Sequence, residues 1–284
     1  MHILSDTFLA SLQSGFLRGI TETVRADPDL TLEIRDNYIN LYFKGNSLLK
    51  LTETKSLGYR PEIHQKYLAE IQIPAEFSQE TVARFLCDIP FLKQNIVRHG
   101  KRSAEIEYEQ MIIRANNLEP RNTAEYLIVD RQYTTADGRF DLTGIFWKKP
   151  HKKGQTVPVC LMEIKYALNN DIQEVHEQLA GYYESIKPQA AAIAAEMQAL
   201  FHQKLELGLY RMPQYRVDAL KTLIFSPDIA QFQFVVIFVD YNPNSSKLNV
   251  QKLSELPFAS QIRIFHTGFA MWQQNVQPLP SNRP

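Results

Sequence analysis

The chain has 284 residues, of which 44% are hydrophobic, 22% charged and 11% aromatic. This composition is typical of a globular protein with a hydrophobic core and excludes a disordered or fibrous chain. The 31 basic residues balance 31 acidic ones, so no net positive charge attracts nucleic acid over long range, and any polyanion must be bound locally. The sequence shows neither a leader peptide nor a long apolar run, which predicts a cytoplasmic protein with no membrane partner.

The first part of the chain, residues 1–100, is predicted to be a mixed α/β region. Apolar residues recur every three to four positions from Phe8 to Ile20, which predicts a helix. Alternating apolar and polar residues then predict antiparallel strands at 32–35, 38–43 and 47–51. Helical periodicity returns over 61–99, with a capping signal at Ser78. No motif in this region indicates a function.

The second part, residues 101–276, is predicted to be a separate α/β core, followed by a flexible tail at 277–284. It opens with a helix over 102–117, which Pro120 ends. The hydrophobic pattern then predicts three strands at 125–133, 139–147 and 157–165. Two helices and three further strands are expected at 171–186, 190–207, 220–225, 232–240 and 263–266. This order of elements favours an α/β (α+β) fold around a mixed central sheet.

Three polar residues at the ends of the central strands carry the chemistry. Glu163 and Lys165 are two residues apart in one strand, so they share a face of the sheet. Asp141 lies in the preceding strand, which we expect beside this one. Two carboxylates form an oxygen-rich site suited to Mg²⁺ or Mn²⁺, and the lysine can activate a bound water or neutralise developing negative charge. The alternative is an ordinary ion pair at the end of a sheet.

Two residues of the following helix add to this group. Gln178 and Tyr182 are four residues apart and therefore lie on one helix face. The glutamine could hold a water or a phosphate oxygen, and the tyrosine could donate a hydrogen bond or stack on a base. A solvated glutamine and a core tyrosine are the ordinary alternatives for each residue alone.

The order of these motifs resembles that of the PD-(D/E)XK nuclease superfamily, in the branch with a trailing Gln-x-x-x-Tyr motif. The matching segments are Gly138-Arg139-Phe140-Asp141-Leu142, Met162-Glu163-Ile164-Lys165 and Gln178-Leu179-Ala180-Gly181-Tyr182. The resemblance covers about half of the chain. It implies a restriction-endonuclease-like αβββαβ core, with the N-terminal α/β region as an extension. It also implies hydrolysis of phosphodiester bonds, in DNA more than RNA, with Mg²⁺ or Mn²⁺ as cofactor.

The resemblance also implies a role for each matching residue. Asp141 and Glu163 would be metal ligands, Lys165 the catalytic lysine, and Gln178 with Tyr182 an accessory pair. An acidic residue of the first helix would join the metal ligands. Glu109 is the preferred candidate because it lies nearer the apolar part of the helix, and Glu105 on the same helix face is the alternative.

Basic residues near the motifs are candidates for binding nucleic acid through its phosphates. They are Arg102 before the acidic helix, and Lys148, Lys149, Lys152 and Lys153 between the two acid-bearing strands. Loop lysines are also commonly just solvated. A nuclease-fold module that binds nucleic acid or a protein partner without cutting, or an ordinary α/β interaction protein, remains open. The intact acids and lysine favour the enzyme. A homodimer also stays open.

Overall fold

The N-terminal helical stretch is two helices, α1 (Asp6–Gln13) and α2 (Arg18–Ala26), where the sequence predicts one. The Ser5 side chain caps α1 by accepting a hydrogen bond from the backbone N–H of Phe8. The chain then turns at Gly15, where a Cβ atom would lie 2.8 Å from the Cα atom of Ser11. This close approach of two backbone segments admits only glycine and ends the helix.

The computed structural model describes residues 2–121, 123–135, 138–148, 155–167 and 169–272. After α2, strands β1 (Leu30–Ile34), β2 (Tyr38–Phe43), β3 (Asn46–Glu53) and β4 (Tyr59–Glu62) form an antiparallel sheet in that order. The predicted alternation is confirmed in β2, whose inward residues Ile39, Leu41 and Phe43 are buried. Helices α3 (Gln65–Leu68) and α4 (Gln79–His99) follow, and Ser78 caps α4 as predicted.

The second region starts at α5 (Ala104–Ile113), which continues as a π-helical turn at Arg114–Leu118. The next elements are β5 (Tyr126–Thr135), β6 (Gly138–Phe146), β7 (Thr156–Val157), β8 (Val159–Tyr166), a 3₁₀ turn (Asn170–Glu174) and α6 (Val175–Ile186). The remaining elements are α7 (Ala190–Glu206), α8 (Gln214–Leu220), β9 (Ile224–Phe225), β10 (Gln233–Val239), α9 (Val250–Ser254) and β11 (Ile262–Thr267). The strand expected at 220–225 is wrong over its first half, because Leu220 ends α8. The tail at 277–284 lies outside the described residues.

The central feature is a mixed five-stranded sheet with the order β11-β10-β8-β6-β5. Strands β5, β6 and β8 are antiparallel neighbours, whereas β8, β10 and β11 run parallel. Alternate residues of β8 enter two different hydrophobic clusters: Met162 and Ile164 pack with Ile113 of α5, and Leu161 belongs to the cluster that contains Leu179 of α6. Helices therefore pack against both faces of the sheet.

The two regions share one hydrophobic cluster, which contains Leu12 of α1 and Phe201 of α7. The Gln203 side chain strengthens this contact by bonding both the N–H and the C=O of Leu4. The N-terminal region is therefore packed on the core. Among the described residues, no helix is both long and apolar enough to cross a membrane.

Candidate active site

The candidate site begins where β6 separates from β8. The pairing of the two strands confirms that they are neighbours, and its last recorded pair at this end is Leu142 with Met162. At the next residue of β6, a side chain replaces the backbone as the hydrogen-bond acceptor: Oδ2 of Asp141 accepts a hydrogen bond from the N–H of Ile164 at 2.8 Å. The carboxylate of Asp141 is thereby fixed beside the end of β8.

Glu163 and Lys165 lie on the same face of β8, as predicted, and both are buried. The Lys165 Nζ is 2.9 Å from Oε1 of Glu163 and 3.0 Å from Oδ2 of Asp171. Burial alone would lower the pKa of Lys165, but these two carboxylates raise it above its ordinary value. The lysine is therefore a charged ammonium group in the folded protein.

The accessory pair also joins the site. The Gln178 Nε2 donates to Oε1 of Glu163 at 2.8 Å and to the Tyr182 hydroxyl at 2.7 Å. The hydroxyl in turn donates to the backbone oxygen of Arg139 at 3.0 Å. A Cβ atom at Gly138 would lie 2.5 Å from the Tyr182 ring, so the motif needs glycine there. This chain of bonds fixes the orientation of Glu163.

One oxygen of the site has no protein partner. The Oε2 atom of Glu163 is buried and accepts no hydrogen bond from the described residues, and the side chain is only 8% exposed. Burial and the charge of Glu163 together raise the pKa of the neighbouring Asp141 to about 7. A buried carboxylate oxygen without a donor is costly. The site therefore carries more negative charge than its single ammonium group balances.

A small hard cation would satisfy these oxygens. Within the described ranges, no three His, Cys, Asp or Glu side chains form a metal-binding group, and the two candidate ligands are Asp141 and Glu163, whose carboxylates interact electrostatically. Mg²⁺ is commonly held by one or two carboxylates, with water and substrate phosphates as its remaining ligands. The oxygen-only donor set and the unpartnered Oε2 of Glu163 fit such an ion.

The two acids of α5 differ in their surroundings. Glu109, the preferred candidate, is buried, and its Oε2 lies 2.7 Å from a guanidinium nitrogen of Arg131. A side-chain hydrogen bond from Gln132 also reaches it. Glu105 is exposed, and its charge contributes to the raised pKa of Asp141. Glu109 therefore already has protein partners, whereas Glu105 is open to solvent, and both acids interact electrostatically with Asp141.

The basic residues divide into two groups. Lys148 follows the far end of β6, seven residues from Asp141, which in an extended strand is roughly 20 Å. The structure thus separates it from the acids, although it belongs to the connection between their strands. Lys149, Lys152 and Lys153 lie outside the described residues. Arg102 is exposed and directly precedes α5, one turn from Glu105.

Sequence reasoning missed the role of Asp171. The sequence analysis placed it only at the start of the helix predicted over 171–186, but its carboxylate accepts a hydrogen bond from the Lys165 ammonium group. The cap of the 3₁₀ turn is instead Asn169, whose side chain accepts the N–H of Asn170. No spacing rule links residues 165 and 171, because the chain leaves the strand between them. The contact depends on the path of the loop.

Comparisons with protein-family models, with curated proteins and with solved structures find no match for this chain. A functional assignment therefore has to come from the motifs and from the geometry of the site.

Proposed function

We propose that this protein is a metal-dependent nuclease of the PD-(D/E)XK type, which hydrolyses phosphodiester bonds in nucleic acid, in DNA more than in RNA. The observation that carries the proposal is the buried, unpartnered Oε2 of Glu163 beside Asp141, whose pKa is raised to about 7. Glu163 forms an ion pair with Lys165, whereas the hydrogen bond of Asp141 comes from the N–H of Ile164. Among the described residues, no donor satisfies the Oε2 atom of Glu163, which supports a site for a cation.

The topology supports the proposal. In chain order, α5, β5, β6, β8, α6 and β10 form a helix, three strands, a helix and a strand around a mixed sheet. When β7, α7, α8 and β9 are left aside, this order is compatible with the αβββαβ core that the resemblance implies. Asp141 lies in β6 and Glu163 in the neighbouring strand β8. Fold alone does not define function, so the side chains have to carry the argument.

The residues divide the chemistry among them. A bound Mg²⁺ or Mn²⁺ would polarise a phosphoryl oxygen and increase the acidity of a water molecule. Asp141 and Glu163 would hold this cation, and Gln178 would keep Glu163 in position. Lys165 stays protonated because two carboxylates flank it. It therefore acts as a positive charge that stabilises the developing negative charge, and not as a proton acceptor.

The test is a cleavage assay with linear, circular and single-stranded DNA, and with RNA, in the presence of Mn²⁺. The Lys165→Ala variant removes the ammonium group, and we expect cleavage to slow by at least about 100-fold. Lys221→Ala, on an exposed lysine after α8, is the matched control and should cut like the wild type. Cleavage of circular DNA would identify an endonuclease.

Two outcomes would contradict the proposal. If the wild type binds nucleic acid but cuts no substrate, the protein is a silent nuclease-fold module. If Lys165→Ala and wild type cut equally well, the cleavage comes from another site or from a contaminant.

A further inference from the structure

A basic pocket lies between the two regions, beside the start of α5. It has a volume of about 260 Å³ and is lined by Lys44, Asn46, Ile96, Val97, Gly100, Lys101, Arg102 and Glu107. Lys44 belongs to the N-terminal sheet, whereas Lys101 and Arg102 belong to the connection between α4 and α5. The pocket therefore combines three cationic side chains from two separate segments.

Tight local contacts fix the position of Lys44. Lys44 and Gly45 form the two-residue turn between β2 and β3, with φ angles of 46° and 72°. A Cβ atom at Gly45 would lie 1.8 Å from a methyl carbon of Ile106. Only glycine tolerates both the left-handed backbone and this approach. The turn is thus pressed against the first part of α5.

Asn46 joins the other two cations to the same turn. Its side-chain oxygen accepts the N–H of Lys101 at 2.9 Å, and its side-chain nitrogen donates to the Lys101 oxygen at 3.0 Å. The Tyr67 hydroxyl donates to the same asparagine oxygen at 3.0 Å. This clamp holds the backbone before α5, so Lys101 and Arg102 start from fixed positions.

The three cations lack carboxylate partners. No ion pair involves Lys44, Lys101 or Arg102 in the part of the chain that the structure describes, although many other basic residues there have one. Of the described residues that line the pocket, Glu107 is the one acidic residue. The pocket therefore has an excess of positive charge in a chain whose total charge is zero.

The pocket also lies toward the same end of the sheet as the acids. Arg102 is three residues before Glu105, whose charge acts on Asp141. Tyr108, on the next turn, donates a hydrogen bond to Asp240, directly after β10. The ring of Tyr108 also contacts that of Tyr166, the neighbour of Lys165. The first half of α5 therefore connects the pocket to the candidate active site.

We infer that this pocket binds the phosphate backbone of the nucleic acid on one side of the scissile bond, with Lys44, Lys101 and Arg102 as the phosphate-binding side chains. This inference rests on the proposed function for the identity of the ligand. It assigns a role to the N-terminal region, which supplies Lys44 and the Asn46 clamp. Binding at this pocket is also compatible with a net charge of zero, because a local group of cations can bind phosphates in a protein without an overall positive charge.

The test measures binding separately from cleavage. The Asp141→Asn protein without divalent metal is titrated against labelled duplex DNA by fluorescence anisotropy, between about 50 and 200 mM salt. The salt slope is the change in the logarithm of the binding constant with the logarithm of the salt concentration. In this background, each single loss of a pocket cation should reduce the magnitude of that slope by about 0.9, which is about an eightfold loss of affinity at 0.1 M salt. The three variants are Lys44→Gln, Lys101→Gln and Arg102→Gln. Glu107→Gln should strengthen binding.

Lys55→Gln is the matched control. Lys55 is an exposed lysine of the same N-terminal sheet, but it lies in the turn after β3, at the opposite end of that strand from Asn46. We expect the Lys55→Gln variant to have the same affinity for DNA and the same salt slope as the Asp141→Asn parent. The melting temperature of every variant should equal that of this parent.

The result separates the two proposals. Unchanged affinity and slope in the three pocket variants, or a loss equal to that in Lys55→Gln, would overturn the inference even if the protein cuts DNA. A protein that binds no nucleic acid at all would overturn it too. Specific loss of binding in a protein that never cuts would support the pocket and contradict the nuclease.

Discussion

Two buried groups of charged residues in this protein contrast in how their charges are balanced. The first joins the two regions: Arg35 lies 2.6 Å from Asp130, and Lys204 lies 2.6 Å from Glu33. The second is the candidate site, where Lys165 contacts Glu163 while Asp141 has a backbone N–H as its recorded partner. We call the first group the interregion ion cluster.

The contrast is clearest in two aspartates. Burial opposes ionisation of both. In the interregion ion cluster, the hydrogen bond with His2 and the charge of Arg35 more than offset it, and they lower the pKa of Asp130. At the site, burial and the charge of Glu163 raise the pKa of Asp141 to about 7. A buried acid with its own cation holds the structure together, whereas a buried acid without one is suited to bind a cation from outside.

The largest expected effect comes from breaking the interregion ion cluster. Asp130→Asn leaves the buried Arg35 without its counterion, and we expect the free energy of unfolding to fall by about 3–5 kcal/mol. Urea denaturation measures this change. A loss below about 1 kcal/mol would mean that the cluster behaves like a surface ion pair, and the contrast with the site would be lost.

At the candidate site, removing a buried charge should raise the free energy of unfolding instead of lowering it. The raised pKa means that Asp141 binds its proton more tightly in the folded chain than in the unfolded one. In the metal-free protein, the contribution of this group to the free energy of unfolding is therefore largest below about pH 4. That contribution falls as the pH rises from about 4 to about 7. Asp141→Asn should therefore stabilise the metal-free protein at about pH 8, by at most about 4 kcal/mol.

Denaturation of both proteins at several pH values in a chelating buffer tests this prediction. The difference between them should shrink toward pH 4. If Asp141→Asn is instead destabilised at about pH 8, a protein cation already balances Asp141.

A smaller effect distinguishes the two acids of α5. Glu109→Gln removes the partner of the buried Arg131 and should cost about 1.5–3 kcal/mol of stability. The guanidinium group keeps its contact with the Tyr42 ring, at 4.6 Å. Glu105→Gln, on the exposed face, should leave stability nearly unchanged but weaken Mn²⁺ binding. The reverse pattern would identify Glu109 as the helix ligand.

The smallest expected effect is at Tyr182. Tyr182→Phe removes the hydroxyl that accepts from Gln178 and donates to Arg139, while its ring keeps its contact with Phe140. We expect a stability loss of about 1 kcal/mol and a lower turnover number with an unchanged Michaelis constant. Equal turnover in the variant would show that the hydroxyl does not support the position of Glu163.

Local rules predicted much of this structure. Strand periodicity placed Glu163 and Lys165 on one face, and the order of strands placed Asp141 beside them. Helix periodicity placed Gln178 and Tyr182 together. These relations hold because residues two apart in a strand, or four apart in a helix, share a face in any fold.

Apart from the contact between Lys165 and Asp171, which are six residues apart, the contacts that the sequence did not predict join distant segments. Arg131 pairs with Glu109, and Lys44 lines the same pocket as Lys101, only because the fold brings these segments together. The periodicity of a sequence contains no information about contacts between distant segments. The same reason explains why the sequence did not predict the buried ion pair of Glu109, since that pair depends on Arg131 in another element. Lys148 seemed close to the acids in sequence, but the antiparallel strands place it at the other end.

The most direct test of the central claim is Mn²⁺ binding to the wild type, measured by isothermal titration and by the melting temperature. We predict that Mn²⁺ stabilises the wild type, by about 2.7 kcal/mol at a hundredfold excess over the dissociation constant. Asp218→Asn, at an exposed acid of α8, should respond in the same way, whereas Asp141→Asn and Glu163→Gln should not respond. An equal Mn²⁺ response in all four proteins would contradict the account.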